Sequence, residues 1–380
     1  MNLKNNLPLE TPQDLKRSLH QALANIPNFK RCALLDYPSH LNIGDHLIWL
    51  GSIFYITQTR QAQIDYVSPM GKDFSAKEFA GLSKEGPIFL HGGGNFGDFW
   101  PGYQNFREKI VSEYQGRPIV ILPQTIYFSS EAALARSAKI FNQHPDVTIF
   151  ARDDRSLAIA REAFYNCKLY KAPDMAFQLV GLPKIPQKRS QSPRILYLCR
   201  TDAEINDRFR PEKLKLDGLD VQDWVSYTWI TRKPGDGIRI PGSVRLTREG
   251  WQRGLKTPKE WLSRQNWKWL HPSGLVFNQV HASHLHRISW EYMHSGIWQL
   301  QAYDLVITNR LHVHILCLIL DIPHILLPGS YYKIPAFYQT WTENMPACCL
   351  VENVDEVYEA VEALRQKYRS RALSSELEVG

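Results

Sequence analysis

Nowhere is this chain apolar for long enough to cross a bilayer. Its strongest run, His314 to Leu327, is interrupted by Asp321 and Pro323, whereas a spanning helix takes about 20 mainly apolar residues. Met1 to Glu10 likewise lack the apolar segment of a secretory signal. The expectation is a cytoplasmic protein, with peripheral contact at the inner face of a membrane left open. Cysteine is scarce and dispersed: Cys32, Cys167, Cys199, Cys317, Cys348 and Cys349 contain no C-x-x-C, which points to reduced core thiols rather than a disulfide framework or a redox motif. A G-x-S-x-G nucleophile elbow is missing, as are H-E-x-x-H and any basic run interleaved with aromatics. Those absences argue against a serine hydrolase, a zinc protease and a nucleic-acid-binding protein.

What is present suits a two-domain protein. The 380 residues suffice for roughly two domains, each with its own core. Lys and Arg outnumber Asp and Glu by 45 to 38, giving +7. So diffuse an excess fits an anionic small molecule, a phosphorylated acceptor or an acidic membrane surface better than nucleic acid.

From Arg31 to about Leu179, short apolar runs alternate with helical spacing. Residues 32–35, 64–67, 88–90, 119–122, 147–150 and 168–170 read as strands, and 45–55, 103–114, 131–141 and 153–164 as helices. Repeated βαβ units predict an α/β fold with a mostly parallel, doubly wound sheet. Residues 182–193, rich in Pro, Ser and charge, read as a linker between a domain over 1–181 and a less regular one over 194–350. Within the latter, 224–270 holds six of the eleven Trp and reads as an irregular insertion, its indoles either stacking on sugar rings or packing into the fold. Residues 351–380 read as a closing helix and a frayed tail.

The chemistry-bearing residues lie where apolar runs stop. Asp304-Leu-Val-Ile-Thr-Asn-Arg-Leu-His312-Val-His314 has the pattern of a buried strand that delivers Thr308, Asn309, Arg310 and His312 to a sheet edge. In open α/β sheets ligands sit outside the carboxyl ends of strands, so a guanidinium and an imidazole there suit an anionic substrate with proton transfer beside it. A capped strand-to-helix turn with a buried His fits equally well. Arg200 leaves an earlier strand in the same way and would complete a fork for a phosphate or carboxylate, or else pair with Asp202 or Glu204. Leu122-Pro123-Gln124-Thr125, Ala151-Arg152-Asp153 and Ala172-Pro173-Asp174 end three further strands with polar groups, as a shared ligand-facing rim would.

His91-Gly92-Gly93-Gly94-Asn95-Phe96-Gly97-Asp98 is expected to follow a strand and precede a helix, leaving backbone amides open to a ligand. It is a poor dinucleotide fingerprint, because the next strand ends on Pro123-Gln124 rather than an acidic residue. Asn42-Ile43-Gly44-Asp45-His46 sits in the first strand-to-helix turn, where Asn, Gly and Asp serve as caps. His312 and His314 form an H-x-H, and His281, His284 and His286 lie close together on an expected helix. No recognisable third and fourth ligand accompanies them, so no metal is expected.

Taken in order, these motifs resemble the polysaccharide pyruvyl transferase family. The stretches that match are Asn42 to Asp45, His91 to Asp98, Leu122 to Thr125, Ala151 to Asp153, Ala172 to Asp174, Thr308 to His312, and Tyr331-Tyr332-Lys333-Ile334 with Phe337-Tyr338, spanning about Asp36 to Trp341. The resemblance implies a GT-B-like fold, two Rossmann-like domains facing across a cleft. It implies phosphoenolpyruvate as donor and no further cofactor, with the pyruvyl group passing to two hydroxyls of a free or lipid-linked saccharide as a cyclic ketal. It places Arg310, Leu311, His312 and an earlier Arg, here Arg200, at the donor. Family members often carry Asp before this Arg and Gly after this His, where the chain has Asn309 and Val313.

On that footing His312 is the expected general acid and Asp98 the expected base. Arg310, Arg200, Leu311, Lys333 and Asn309 are expected around the donor, and Gly93, Gly94, Asn95, Asp45 and Gln124 around the acceptor. A nucleotide-sugar glycosyltransferase of the same architecture and a non-catalytic glycan-binding protein are the competing readings.

Overall fold

The computed structural model of the protein describes residues 9–182, 185, 194–200, 204–214, 216, 218–224 and 258–377. The chain enters through α1 (Pro12–Leu23), where Thr11 and Asp14 form a capping box and Leu15, Leu19 and Leu23 make the buried stripe. There follow β1 (Arg31–Leu35), α2 (Ile43–Phe54), β2 (Gln63–Ser68), α3 (Ala76–Leu82), β3 (Ile88–Leu90), β4 (Gly93–Gly97), α4 (Pro101–Glu113), β5 (Ile119–Tyr127), α5 (Glu131–Gln143), β6 (Val147–Ala151), α6 (Asp154–Ala163) and β7 (Lys168–Lys171). Their strands pair in parallel in the order β2-β1-β3-β5-β6-β7, with β4 beside the second half of β5. The near-continuous apolar strands are those a sheet covered on both faces requires.

A second parallel sheet, of order β12-β11-β10-β8-β9, is built from β8 (Ile195–Leu198), β9 (Leu219–Gln222), β10 (Leu305–Thr308), β11 (His324–Leu326) and β12 (Cys348–Leu350). Helices α7 (Pro258–Leu270), α8 (Ser283–Leu300), α9 (Leu311–Leu320), α10 (Lys333–Phe337) and α11 (Val357–Leu377) accompany it. The architecture is mixed α/β with parallel, Rossmann-like sheets, the class that the βαβ alternation predicts.

Two expectations fall largely outside the described residues: the linker over 182–193, apart from Leu182 and Ile185, and residues 225–257 of the Trp-rich stretch. The remainder of that stretch is regular. Residues 258–270 form α7, and Trp267 is buried against Trp290 with ring centroids 4.4 Å apart. This indole packs into the fold rather than facing a sugar.

The largest core cluster is continuous between the sheets. Helix α2, buried at every position but Asp45, packs against Met175–Leu179, α8 and α9. Its approach to Met175 is so close that a Cβ on Gly51 would lie 2.1 Å from the Met175 carbonyl oxygen. The glycine-rich segment departs from the expected open loop. Gly93–Gly97 pairs with β5 as a strand, and α4 starts only at Pro101. Gly97, at φ 138°, passes so near Tyr127 that a Cβ would lie 1.6 Å from its carbonyl oxygen, so this glycine serves strand pairing.

Candidate active site

Polar residues at the carboxyl ends of strands from both sheets converge on one cavity of about 430 Å³. Arg152 follows β6, Arg200 follows β8, Asp223 follows β9 and Arg310 follows β10. This is where open α/β sheets bind ligands. The α2 turn contributes Asn42 and Asp45, the glycine-rich strand Gly94 and Asn95, and the start of α10 Lys333. Trp100, Tyr103 and Trp224 give the same cavity an aromatic side.

Strand β10 ends at Thr308 and leads through Asn309 to Arg310, the N-cap of α9, which places Leu311 and His312 in the first turn of a ten-residue helix whose amino end opens on the cavity. His312 packs over the α2 backbone: a Cβ on Gly44 would lie 2.3 Å from its Nδ1. Its Nε2 stands 3.5 Å from Asp174 Oδ2, a contact longer than a well-formed hydrogen bond. Asp174 is fully buried and also takes Arg152 Nη1 at 2.7 Å and the Ala176 amide at 2.9 Å. Burial pushes the Asp174 carboxyl up, but His312 and Arg152 outweigh it and hold the group well below the usual carboxylate range. An ionised carboxylate therefore stands behind the imidazole. Arg152 is fixed in turn by Thr125 Oγ1, 2.8 Å from its Nε.

Four cations line the cavity, each beside a carboxylate. Arg310 meets Asp223 through Nε and Nη2, both at 2.7 Å. Arg200 Nη1 lies 2.9 Å from Glu204, the partner that the sequence offers it, and Lys333 Nζ binds the same carboxylate. Burial lowers the Lys333 pKa to about 8, with Arg200 and Arg152 adding to the shift against the pull of Glu204. Gly94 lets these cations meet, since a Cβ there would lie 3.0 Å from Arg152 Nη2 and 3.3 Å from Lys333 Cδ.

Asp45 is the cavity-lining carboxylate that faces imidazoles. His40 Nε2 lies 3.4 Å from Oδ2, and Asn42 Nδ2 donates to the same oxygen at 2.8 Å. Burial raises its pKa, but His40, His312, His91 and His46 together hold it below the ordinary value.

Of the residues singled out from sequence, Arg310, Arg200, Leu311, His312, Lys333, Asp45, Gly94 and Asn95 meet in this cavity. Four others do not line it. Asp98 turns away: its carboxylate accepts from the Ser129 amide at 2.8 Å, the Ser129 hydroxyl at 2.9 Å and the Ser130 amide at 2.7 Å, and so braces the entry to α5 instead of meeting an acceptor. Gln124 is fully buried and donates to the His91 carbonyl at 2.7 Å and to Asn95 Oδ1 at 3.1 Å. Asn309 accepts from the Arg200 amide at 2.8 Å, tying β8 to β10 beneath the site. Gly93 meets Ile48. Sequence reasoning left Arg152 and Asp174 without roles, although each ends a strand on the polar rim that it drew. It missed Asp223, which ends an edge strand of weak pattern, and the aromatic pair Trp100 and Tyr103.

The H-x-H does not act as a unit, because His312 faces the cavity while His314 is buried behind it. His314, His324 and Cys348 have ligand atoms within 4.8 Å of one another. Hydrogen bonds already occupy both imidazoles. His314 lies 2.7 Å from His324 and 3.0 Å from Thr342 Oγ1, and His324 Nδ1 donates to the Ile322 carbonyl at 2.8 Å. Burial lowers both imidazoles, His324 to about 4, so the neutral pair is a satisfied core network. His281 precedes α8, and His286, buried within it, accepts from Trp49 Nε1 at 3.0 Å.

Similarities to known proteins converge on one family. The family profile "Polysaccharide pyruvyl transferase" matches residues 42–331. "Putative pyruvyl transferase EpsO" of Bacillus subtilis is 30% identical over 90% of this chain and 95% of its own length. "Pyruvyl transferase 1" of Schizosaccharomyces pombe is 24% identical over 88% of this chain and 74% of its own. A crystal structure of a functionally uncharacterised protein from Klebsiella pneumoniae shares the fold, with a TM-score of 0.54 and 17% identity across 89% of this chain and 98% of that one. The chain belongs to the polysaccharide pyruvyl transferase family.

Proposed function

We propose that the protein transfers the pyruvyl group of phosphoenolpyruvate to two hydroxyls of a sugar, forming a cyclic ketal on an exopolysaccharide or cell-surface glycan precursor, with no further cofactor. The observation that carries this is the cavity itself, where Arg152, Arg200, Arg310 and Lys333 surround an imidazole backed by an ionised carboxylate. Phosphoenolpyruvate carries close to three negative charges near neutral pH, and guanidinium forks are the side chains that match phosphate and carboxylate geometry. The two parallel sheets act as GT-B-like lobes, the second supplying most of the donor contacts and the first most of the acceptor contacts.

In this reading His312 gives a proton to the methylene carbon, and a sugar hydroxyl adds to the cationic carbon so formed. Phosphate then leaves with its electron pair and the second hydroxyl closes the ring. One hydroxyl proton replaces the one now in the methyl group and the other leaves on phosphate, so the balance closes. Asp45 takes over the role expected of Asp98, because it is ionised, lines the cavity and is engaged by imidazoles rather than by Arg or Lys. Trp100 and Tyr103 offer apolar faces for a sugar ring. A lipid-linked acceptor would bring the protein to the inner membrane surface; among the described residues no helix is long and apolar enough to cross it.

The test is release of inorganic phosphate from phosphoenolpyruvate against a panel of glycosides, with mass spectrometry of the products. The expected product is a glycoside heavier by a pyruvate ketal. Turnover of a nucleotide sugar, with no release from phosphoenolpyruvate across the panel, would overturn the proposal.

A further inference from the structure

The cavity cannot take a trianion by simple addition. Among the described residues, Arg152, Arg200, Arg310 and Lys333 are offset by Asp174, Glu204, Asp223 and Asp45, four carboxylates at or against the same lining. A donor with about three negative charges would enter a site already close to neutral, with no net Coulomb gain to offset its desolvation. At least one cation must exchange its carboxylate for the ligand.

Asp223 is placed for that exchange. Its side chain is 26% exposed, against 6% for Glu204 and 0% for Asp174. It follows β9, the edge strand of its sheet, whereas Asp174 is held by Arg152, His312 and a backbone amide. It grips Arg310 through Nε and Nη2 with both oxygens at 2.7 Å, the bidentate mode in which a guanidinium takes a phosphate or another carboxylate. Its Oδ1 also accepts from the Trp224 amide at 2.7 Å.

We propose that Asp223 is a built-in counter-ion of Arg310 that the anionic donor displaces, so that donor affinity is set by competition between the two. This rests on the donor-site reading above. It makes Asp223 a positioning residue acting through Arg310, and it reverses the usual sign of a binding-site substitution: removing the charge tightens binding.

The test is calorimetric titration of the wild-type protein, Asp223→Asn and Asp223→Glu with phosphoenolpyruvate and, separately, with inorganic phosphate, alongside steady-state kinetics. For Asp223→Asn the dissociation constants of both ligands should fall by about 3- to 30-fold, the range that loss of a partly exposed competing charge supports. KM for the donor should fall with them while kcat does not rise, because phosphate then leaves more slowly. Asp223→Glu should stay within about twofold of wild type. If Asp223→Asn melts early, Asp223→Ser provides the same charge removal. Unchanged or weaker binding in a folded variant, with wild-type binding intact, would overturn the counter-ion role alone. Failure of the wild-type protein and the variants to bind either anion would overturn the donor site together with it.

Discussion

His312 is constrained from two sides, by the Gly44 backbone on one and by the Asp174 carboxylate on the other. A group fixed in this way has little rotamer freedom left to lose on the way to the transition state, which is what positioned acid catalysis requires. His312→Ala should keep donor affinity and lose turnover by about 10²- to 10⁴-fold, read as kcat at saturating donor; near-normal kcat would remove it from the mechanism. Arg310→Ala should act on KM for the donor, and an unchanged donor titration would deny it an anion-binding role. Lys333 gives the site a pH limit. Its pKa is lowered to about 8, so its charge is present below that value and lost as pH rises through it. The kcat/KM for donor, which reports the free enzyme, should therefore fall above about pH 8, and Lys333→Arg should move that limb out of range. For stability the sign is opposite. The folded-state value lies below the unfolded one, so between about 8 and the ordinary 10.5 the unfolded chain binds more protons and stability rises with pH.

At the scale of elements, the site depends on close approaches that only glycine permits. Gly44→Ala would drive a methyl into the His312 ring, so kcat should fall by at least about tenfold together with a loss of stability of about 1–3 kcal/mol, measured by urea denaturation. Asp98→Asn separates two roles for the glycine-rich segment. If Asp98 only braces Ser129 and Ser130, kcat should stay within a few-fold of wild type while stability falls by about 0.5–2 kcal/mol; a large loss of kcat with an unchanged melting temperature would restore it to the chemistry. The elements that the sequence made legible are those where one physical pressure dominates. Buried parallel strands must be apolar runs, and the residues that end them abruptly, Arg152, Arg200 and Arg310, belong to the site for the same reason. Strand β4 was not legible, because Gly93–Gly97 has no side-chain period to read. Asp98 misled because nearness in sequence to a ligand-lining glycine says nothing about which way a side chain turns. Asp223 gave no signal, since β9 is a half-exposed edge strand without a clear alternation.

On the scale of the whole molecule, the linker-like composition of 182–193 suggests two units, and the largest buried cluster runs between the two sheets. Ile43, Leu47 and Ile48 of α2 belong to the same buried cluster as Met293 and Ile297 of α8 and Val313 and Leu316 of α9. A Cβ on Gly296 would meet Ile43 at 3.0 Å and Leu316 at 3.3 Å, so the three helices touch at this point. That contact carries function as well as stability, because α2 brings Asp45 and α9 brings His312 to the cavity they share. If the two sheets were stabilised separately, denaturant would melt them in two steps; a common core makes the loss of either expose the other. Urea unfolding followed by far-UV circular dichroism and by tryptophan fluorescence should therefore give one coincident transition. Ile297→Ala, which empties a site 2% exposed at the centre of the shared cluster, should cost about 2–5 kcal/mol and move both signals together. A variant in which one signal shifts and the other holds would show that the sheets unfold independently and that the acid and base sides of the cavity are free to separate.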